Sequence, residues 1–272
     1  MEIIVDSHCQ SLNHYSVTRS NGKVEQDAIA EEVPVALVYN GISHAVMLAT
    51  PQDLADFALG FSLSEGIIKT PNEMYDIEIV TETNGISLQI DIATERFSHL
   101  KEIRRTLTGR TGCGLCGTDS LEHAIKPVSP LSNVNFCVKP DALLTAYRNM
   151  PSHQALQAVT GATHASAWVS LQGEILLVRE DVGRHNALDK LIGALVKSNI
   201  DVTTGFILTT SRASYEMVQK TVSAGVQLLA AVSAPTGLAI SMAEHSGLTL
   251  VGFLRDKSYV IYSHVDKIKP FI

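Results

Sequence analysis

The chain has 272 residues, of which 45% are hydrophobic and 18% charged, with a net charge of −7 and four cysteines. This composition excludes a disordered chain and a small disulfide scaffold. The negative balance argues against a general nucleic-acid binder. The first residues carry no basic segment and no long apolar run, which argues against a secretory signal. We therefore expect a cytoplasmic protein whose thiols are reduced.

One uncharged stretch of 23 residues, 221–243, has the length of a membrane span. It contains several polar side chains, and Pro235-Thr236-Gly237 interrupts it near its middle. We interpret it as helix, strand, turn and helix inside a protein core, and we expect no membrane contact.

Hairpins and helices alternate in the first half. Residues 1–29 are polar and lack a period, which predicts a flexible N-terminus. The apolar runs 33–39 and 43–48 flank Asn40-Gly41, the residue pair typical of a tight hairpin turn. The next segment predicts the start of a helix, with Thr50 as the N-cap, Pro51 as a first-turn proline and Asp53 as a capping-box acid. The other elements predicted for this α+β domain of residues 30–117 are a helix continuing to Glu65, strands 76–81 and 86–92, and helix 95–108.

The connector 118–140 follows Gly117 and contains Pro127, Pro130 and Pro140, residues that interrupt regular structure. After it, single strands alternate with helices. The elements predicted for residues 141–272 are helix 141–160, strands 165–171 and 174–179, helix 186–197, strand 205–210, helix 215–229, strand 230–234, helix 236–246, and strands 248–254 and 259–263. This order predicts an α/β domain with a mixed sheet between two helix layers, as in the cytidine-deaminase-like fold. The zinc-binding cysteines of those deaminases have no counterpart in the corresponding turns, which argues against deamination.

The most distinctive motif is Thr111-Gly112-Cys113-Gly114-Leu115-Cys116-Gly117, where glycines surround two thiols. Residues 96–110, directly upstream, carry five basic side chains. A positive surrounding favours the thiolate, which is the reactive form of cysteine. The alternative is a solvated helix face followed by a flexible loop.

Three chemical interpretations of the cysteine pair remain open. A zinc site needs two further ligands, and only Cys137 and His123 stand nearby. A thioredoxin-like dithiol would lie at a strand-to-helix junction, whereas this pair follows a helix. In a sulfur relay, one thiolate carries a persulfide and the neighbouring thiol assists its release by exchange.

Three further segments carry groups suited to anions. Residues 180–190 lie between a strand and a helix, where Arg184 and the helical amides suit an anion and His185 suits a phosphate or proton transfer. In the alternative interpretation, Asp181 caps the helix and Arg184 pairs with a carboxylate. Residues 209–216 offer Ser211 and Arg212 to phosphate oxygens, or Ser214 only as an N-cap. In residues 252–258, Phe253 suits stacking on a base or pterin, and Arg255 and Lys257 suit phosphates; the alternative is an ordinary charged hairpin tip.

Several long segments in the same order resemble the FdhD sulfur-carrier family of formate dehydrogenase accessory proteins. The matching segments are 31–41, 57–66, the cysteine pair, 180–190 and 211–220, and the resemblance spans roughly residues 30–265.

The resemblance implies a sulfurtransferase that is typically a homodimer. Such a protein takes persulfide sulfur from a cysteine desulfurase and passes it to the molybdenum bis(guanine dinucleotide) cofactor, its bound substrate, before that cofactor enters the formate dehydrogenase catalytic subunit. Cys113 matches the persulfide-bearing residue and Cys116 the second cysteine. The cofactor-contacting loop matches Phe253, Leu254, Arg255, Asp256, Lys257 and Ser258, to which the anion-suited residues add Arg184, His185, Ser211 and Arg212. We expect no metal held by the protein itself.

A second hypothesis retains cofactor binding but assigns no chemical reaction to the protein. In it the chain is a non-catalytic chaperone that binds and delivers the cofactor, and the cysteine pair is structural or holds zinc.

Overall fold

The computed structural model describes residues 10–108, 128–132 and 135–269, with the backbone alone for 103–108. The N-terminal half, residues 10–108, contains six strands and two helices. These are β1 Leu12–Thr18, β2 Val24–Ala30, β3 Val33–Tyr39, β4 Ile42–Ala49, α1 Leu54–Ser64, β5 Met74–Glu82, β6 Gly85–Ile92 and α2 Thr94–Thr108.

The four strands β3 to β6 form one sheet in the order β4-β3-β6-β5, with β3 and β6 parallel and the outer pairs antiparallel. Alternate residues of β3 and β6 are buried, including Val35, Leu37 and Leu88. They pack against Phe57 and Phe61 of α1, which follow the helical spacing of one buried face. This half therefore has its own hydrophobic core.

The C-terminal half, residues 135–269, is built on a six-stranded sheet with the order β12-β11-β10-β9-β7-β8. Strands β9, β10 and β11 are parallel, whereas β7, β8 and β12 are joined by antiparallel pairing. The elements are α3 Pro140–Asn149, α4 Ala155–Thr160, β7 His164–Ser170, β8 Ile175–Asp181, α5 Arg184–Lys197, β9 Gly205–Thr209, α6 Tyr215–Ser223, β10 Leu228–Ala231, α7 Gly237–Ser246, β11 Thr249–Gly252 and β12 Val260–Ser263.

A helix layer covers each face of this sheet. Helix α3 packs on one face through Leu143 and Ala146, while α5, α6 and α7 pack on the other. The expected mixed α/β architecture is confirmed. No helix in the described ranges is both long and apolar enough to cross a membrane. The division into domains at 118–140 stays a prediction.

Helices α1 and α5 join the two halves at a very close crossing. A β-carbon added to Gly60 would lie 1.8 Å from the carbonyl oxygen of Asp189, and one added to Gly193 would lie 1.9 Å from that of Asp56. Only glycine permits the two backbones to approach this closely. Helix α5 is therefore buried between the six-stranded sheet on one side and α1 on the other.

Two expectations about the N-terminal half are wrong. Residues 12–30 form an antiparallel hairpin where a flexible terminus was predicted; most of its side chains remain at least partly exposed, so the apolar alternation that signals a strand is weak. Thr50 is not an N-cap, because α1 begins only at Leu54 after Asp53, whose φ is 54°. The Thr50 amide instead donates to Asp181 in the other half.

Two long helices predicted for the C-terminal half are shorter than expected. The predicted helix 141–160 is divided by a 3-10 turn at Met150–His153, where Pro151 supplies no backbone N–H. The predicted helix 215–229 ends at Ser223, because Gly225 adopts a φ of 77° that turns the chain toward β10.

Candidate functional site

Four strands of the larger sheet end at one edge, and the loops that follow them carry all ten predicted cofactor-binding residues. Strands β8, β9, β10 and β11 run in the same direction and therefore end together. The loop after β8 leads to Arg184 and His185, the loop after β9 holds Ser211 and Arg212, and the loop after β11 is residues 253–258. We call this edge, with its loops, the loop edge. It is the usual ligand side of open α/β sheets.

Contacts between these loops join them into one surface. Ala213 forms a β-bridge with Pro235, and its N–H donates to Ala234 at 3.2 Å. The amide of Phe253 donates to Ser233 at 3.2 Å. His185 Nε2 lies 3.3 Å from Ser214 Oγ, so the three anion-suited segments of the sequence are neighbours in space.

The buried Asp181 carboxylate fixes the turn that carries Arg184 and His185. It accepts hydrogen bonds from the amides of Gly183 at 2.7 Å and Thr50 at 3.1 Å, and from Asn186 Nδ2 at 3.0 Å. Lys190 Nζ lies 2.6 Å from the same carboxylate, and both side chains are fully buried. The N-cap residue of α5 is Gly183, so the prediction that Asp181 caps this helix is wrong. Asp181 instead holds Gly183 and Asn186 in place and also binds the N-terminal half.

Arg184 lies at the N-terminus of α5, at the loop edge. Its Nε is buried and has no hydrogen-bond partner among the described residues. No carboxylate within the described ranges pairs with it, so the structure does not support the predicted ion pair of Arg184. Together with the amides of the first helical turn, this guanidinium gives the site a positive end.

His164 begins β7 beside Arg184. Burial lowers the pKa of His164, and the nearby positive charges of Arg184 and His185 lower it further. The His164 imidazole is therefore neutral at pH 7, with one nitrogen that donates and one that accepts.

His185 contacts two groups at the start of α6. Its Nε2 lies 2.8 Å from Glu216 Oε2 and 3.3 Å from Ser214 Oγ. The hydrogen bond from His185 lowers the pKa of Glu216 despite partial burial of that carboxyl. A Ser-His-acid hydrolase triad needs the serine and the acid on different ring nitrogens. Because one nitrogen contacts both groups here, this cluster is not such a triad.

Ser211 and Arg212 differ in exposure. Ser211 is buried, and its hydroxyl lies 3.1 Å from Thr209 Oγ1 and donates to the Arg212 carbonyl. Arg212 is exposed on the same loop. Arg212 is therefore accessible to a ligand, whereas Ser211 shapes the loop. Ser214 is the N-cap residue of α6, as the alternative interpretation predicts.

Phe253 is held in an unusual backbone conformation in the last loop. Its φ is 50°, a value that costs a bulky residue conformational free energy, and its side chain is 43% exposed. The preceding Gly252 has no space for a side chain, because a β-carbon there would lie 2.8 Å from Pro235 Cδ. The ring of Phe253 therefore stands on the surface of a tightly packed turn, while the next residue, Leu254, is buried in the core.

The remaining side chains of this loop are exposed. Arg255 donates to the Val232 carbonyl, and Lys257 and Ser258 face solvent. Asp256 lies 2.6 Å from Arg148 Nε of α3, so a cation from another element compensates its negative charge. Asp256 thus does not make the loop acidic.

The predicted sulfur-handling residues, Cys113 and Cys116, lie outside the described residues, as does Cys9. Cys137 is described and is a partly buried free thiol. Of the predicted basic stretch, Arg96 pairs with Glu73 at 2.9 Å, and Lys101 Nζ lies 4.5 Å from the Phe97 ring centroid. The side chains of Arg104, Arg105 and Arg110 are outside the described residues.

The sequence analysis missed a second buried charge cluster between the halves. Lys220 Nζ donates to Asp189 Oδ2 at 2.9 Å, Glu65 Oε1 at 2.7 Å and Ser64 Oγ at 2.9 Å. Burial alone would lower the pKa of Lys220, but the two carboxylates outweigh burial and raise it, so Lys220 is charged. These residues fall within matching segments of the resemblance, and the structure assigns them to the contact between halves rather than to the loop edge.

The FdhD/NarQ family model matches residues 30–269. The chain belongs to the FdhD/NarQ family. The family resemblance found in the sequence is therefore confirmed, and the match covers both halves of the molecule.

Relatives in this family are similar along most of their length. A sulfur carrier protein FdhD from Variovorax paradoxus is 59% identical over 88% of this chain and 86% of its own. That of Cupriavidus necator is 57% identical over 89% and 84%. That of Acinetobacter baylyi is 51% identical over 95% of each chain, so its similarity extends beyond the residues that the family model matches.

A solved structure shows the same fold. The crystal structure of a putative formate dehydrogenase accessory protein from Desulfotalea psychrophila superposes with a TM-score of 0.70 over 95% of this chain and 98% of that one. Sequence identity between the two is 22%, so this likeness concerns the fold alone.

Proposed function

We propose that this protein is a sulfur carrier for the maturation of formate dehydrogenase. It takes persulfide sulfur from a cysteine desulfurase onto Cys113 and transfers it to the molybdenum bis(guanine dinucleotide) cofactor. The names of its relatives, sulfur carrier protein FdhD, support the sulfur-carrying role. We infer that it acts in the cytoplasm, as a homodimer, and meets the formate dehydrogenase catalytic subunit.

One observation carries the cofactor part of the proposal. Three separate loops bring Arg184, Arg212, Arg255 and Lys257 to one sheet edge, next to the N-termini of α5, α6 and α7. Guanidinium groups and helix N-termini both bind phosphate oxygens well. The loop edge therefore suits a ligand with several phosphates, such as a dinucleotide, even though the whole chain has a net charge of −7.

The first chemical step is a thiol–persulfide exchange. The Cys113 thiolate attacks the outer sulfur of the desulfurase persulfide, a new S–S bond forms on Cys113, and the desulfurase cysteine leaves as thiolate. No external oxidant or reductant is needed, because the sulfur keeps its oxidation state in the exchange.

Release of the sulfur as sulfide needs two electrons, which Cys116 can supply. Its thiolate attacks the Cys113 sulfur, a disulfide forms between the two cysteines, and the outer sulfur leaves as hydrosulfide toward the cofactor. Reduction of the disulfide by a cellular dithiol then restores the pair.

The test is the Cys113→Ala protein, with Cys137→Ala as the matched control. After exposure to a desulfurase and cysteine, mass spectrometry should show one added sulfur atom on wild type and Cys137→Ala and none on Cys113→Ala. In cells lacking this protein, only wild type and Cys137→Ala should restore formate dehydrogenase activity. Full activity with Cys113→Ala would overturn the relay.

The competing chaperone hypothesis predicts a different result. One zinc ion per chain in metal analysis, with no sulfur adduct after the same exposure, would favour a protein that delivers the cofactor without reacting.

We also infer that the larger sheet has the cytidine-deaminase-like arrangement. The order of a helix, two antiparallel strands and then alternating helices and strands supports this, as does a helix layer on each face.

A further inference from the structure

One face of the sheet β4-β3-β6-β5 is exposed, although much of it is apolar. Side chains alternate between the two faces of a strand, and Val35, Leu37 and Leu88 take the face that packs on α1. The opposite face of such a sheet is normally polar. Here it includes six apolar residues, none of which packs in a hydrophobic core among the described residues: Pro34, Ala36, Val38, Val46, Leu48 and Val80. We call this side of the sheet the open face.

Two of the apolar residues lie on the edge strand β4 and are strongly exposed. Val46 is 48% exposed and Leu48 is 54% exposed. In the register of the sheet, Val46 lies beside Ala36 and Leu48 lies beside Pro34 of β3, so the apolar residues are contiguous across two strands. Contiguous exposed apolar surface marks a site of contact with another protein.

The other part of the open face is acidic. Asp76 of β5 lies directly opposite Asp91 of β6, and Glu78 lies opposite Gln89 on the same face. All three carboxylates are exposed, and none forms an ion pair within the described ranges. Like charges directly opposite each other destabilise a sheet. Because the described residues include no group of acids that could hold a metal ion, the cation that suits these carboxylates is a side chain of another protein.

The charge of the open face selects among candidate occupants. Its four strands contain no lysine and no arginine. The face therefore repels nucleic acid and anionic lipid, and a second copy stacked on it face to face would add carboxylates without a cation. A partner protein whose apolar contact surface is bordered by lysine or arginine is complementary to it.

The open face belongs to the half of the molecule that leads to the cysteine pair. Helix α2 begins at Thr94, two residues after β6 ends at Ile92, and Cys113 follows the end of α2 at Thr108 by five residues. The loop edge, to which we assign the cofactor, belongs to the other half. A protein on the open face therefore binds the half that carries the sulfur acceptor.

We infer that the open face is the docking surface for the sulfur donor, a protein that presents apolar side chains next to lysines or arginines. This inference rests on the proposed function, in which a desulfurase loads Cys113. Val46 and Leu48 supply apolar contact, and the three carboxylates attract and orient the basic border of the donor. Docking thus depends both on these apolar residues and on the salt concentration.

Initial rates of sulfur loading by a cysteine desulfurase, measured by mass spectrometry at increasing concentrations of this protein, test the inference. We expect Val46→Lys to raise the concentration that gives the half-maximal rate by about tenfold or more, with the maximal rate unchanged. Val24→Lys is the matched control, because Val24 is 64% exposed on strand β2 of the same half, and it should behave as wild type.

Loading from glutathione persulfide shows whether each variant is folded and reactive without docking. In this reaction the Cys113 thiolate takes the outer sulfur and glutathione leaves as thiolate. We expect equal rates for wild type, Val46→Lys and Val24→Lys.

The double variant Asp76→Asn, Asp91→Asn tests the electrostatic contribution. We expect desulfurase loading of wild type to slow as salt is added, and loading of the double variant to depend less on salt, because two attracting charges are gone. The variant should fold at least as well as wild type, because it also removes the repulsion between the two acids. Glu174→Gln, at an exposed acid in the turn between β7 and β8, should keep the wild-type salt dependence.

An unchanged half-maximal concentration in Val46→Lys would overturn the docking surface and leave the sulfur-carrier proposal standing. Analytical ultracentrifugation adds a second check: a wild-type dimer that Val46→Lys converts to monomer would assign the open face to a second copy and overturn the inference. If wild type took up sulfur neither from the desulfurase nor from glutathione persulfide, the sulfur-carrier proposal itself would fail.

Discussion

At the scale of single residues, the pKa of His164 reports the positive charge at the N-terminus of α5. Burial and the positive charges of Arg184 and His185 hold its pKa below the ordinary value. Arg184→Met removes one positive charge, so we expect the pKa of His164 to rise. An NMR titration of the imidazole measures this shift, with Arg19→Met in the N-terminal hairpin as control. An unchanged pKa of His164 in Arg184→Met would contradict the placement of the guanidinium.

The same lowered pKa gives stability a pH dependence. The unfolded chain binds a proton on His164 more readily than the folded chain does, so stability rises with pH from the folded pKa up to the ordinary value of 6.5. Acidification through that window therefore removes stability. Urea unfolding of wild type and His164→Gln on both sides of the window should show a smaller acid-induced loss in the variant. Equal losses would argue against the lowered pKa.

Lys190 and Lys197 should respond very differently to the same substitution. Lys190→Met leaves the Asp181 carboxylate buried without its cation, and we expect a loss of about 3–5 kcal/mol in the free energy of unfolding. Lys197 pairs with Asp56, but its side chain is 59% exposed, so Lys197→Met should cost less than about 1 kcal/mol. Urea denaturation compares the two. Similar losses of stability in the two variants would show that removing Lys190 does not leave Asp181 as an uncompensated buried charge.

Local sequence patterns could not reveal these buried charges. Asp189, Lys190 and Lys220 lie on amphipathic helices, where charged residues beside the apolar stripe normally face solvent. Their burial depends on α1, a helix more than a hundred residues away in the chain. His164 was missed for a similar reason, because its position beside Arg184 depends on the pairing of β7 with β8.

At the scale of elements, the crossing of α1 and α5 depends on two glycines. Gly60→Ala and Gly193→Ala would each place a methyl group less than 2 Å from a backbone carbonyl oxygen, which cannot move without shifting a helix. We expect each to lower the free energy of unfolding by about 1–3 kcal/mol or more, as overpacking does.

Gly237→Ala is the matched control for that prediction. Gly237 is exposed in the first turn of α7, and an added β-carbon there meets nothing within 4 Å. We expect no loss, and a gain of up to about 1 kcal/mol because alanine restricts the unfolded chain. Thermal unfolding of all three variants provides the comparison. A tolerated Gly60→Ala would show that the crossing is looser than described.

Elements with strong local signals were predictable. The Asn40-Gly41 hairpin and the helix predicted at 186–197 lie where the sequence predicts them. The start of α1 was not, because Thr50 and Asp53 form contacts across the halves that override a local capping pattern. The meeting of the anion-suited loops was predictable, since parallel strands end at one edge.

At the scale of the whole molecule, the two halves should unfold together. The helix crossing and both buried charge clusters bridge them, and the single tryptophan, Trp168, lies buried in the C-terminal half. Phe57→Ala removes a ring from the N-terminal core and should cost about 3–5 kcal/mol. We expect the Trp168 fluorescence transition and the far-UV circular dichroism transition to shift together to lower urea.

Tyr75→Ala is the control for this test, because it removes an aromatic ring that is 68% exposed in the same half. Its transitions should stay close to those of wild type. A Trp168 transition that does not move in Phe57→Ala would show that the halves unfold independently.

Two consecutive charged residues on α5, Asp189 and Lys190, determine the rotation and translation at which that helix can pack. Asp189 faces Lys220, and Lys190 faces Asp181, about 100° further around the helix axis. A slip of one residue in one direction would bring Lys190 against Lys220, and a slip in the other would bring Asp189 against Asp181. Both misalignments place like charges together in a buried setting. Two adjacent residues thus specify a single rotation and translation of α5, and with it the position of Arg184 at the loop edge.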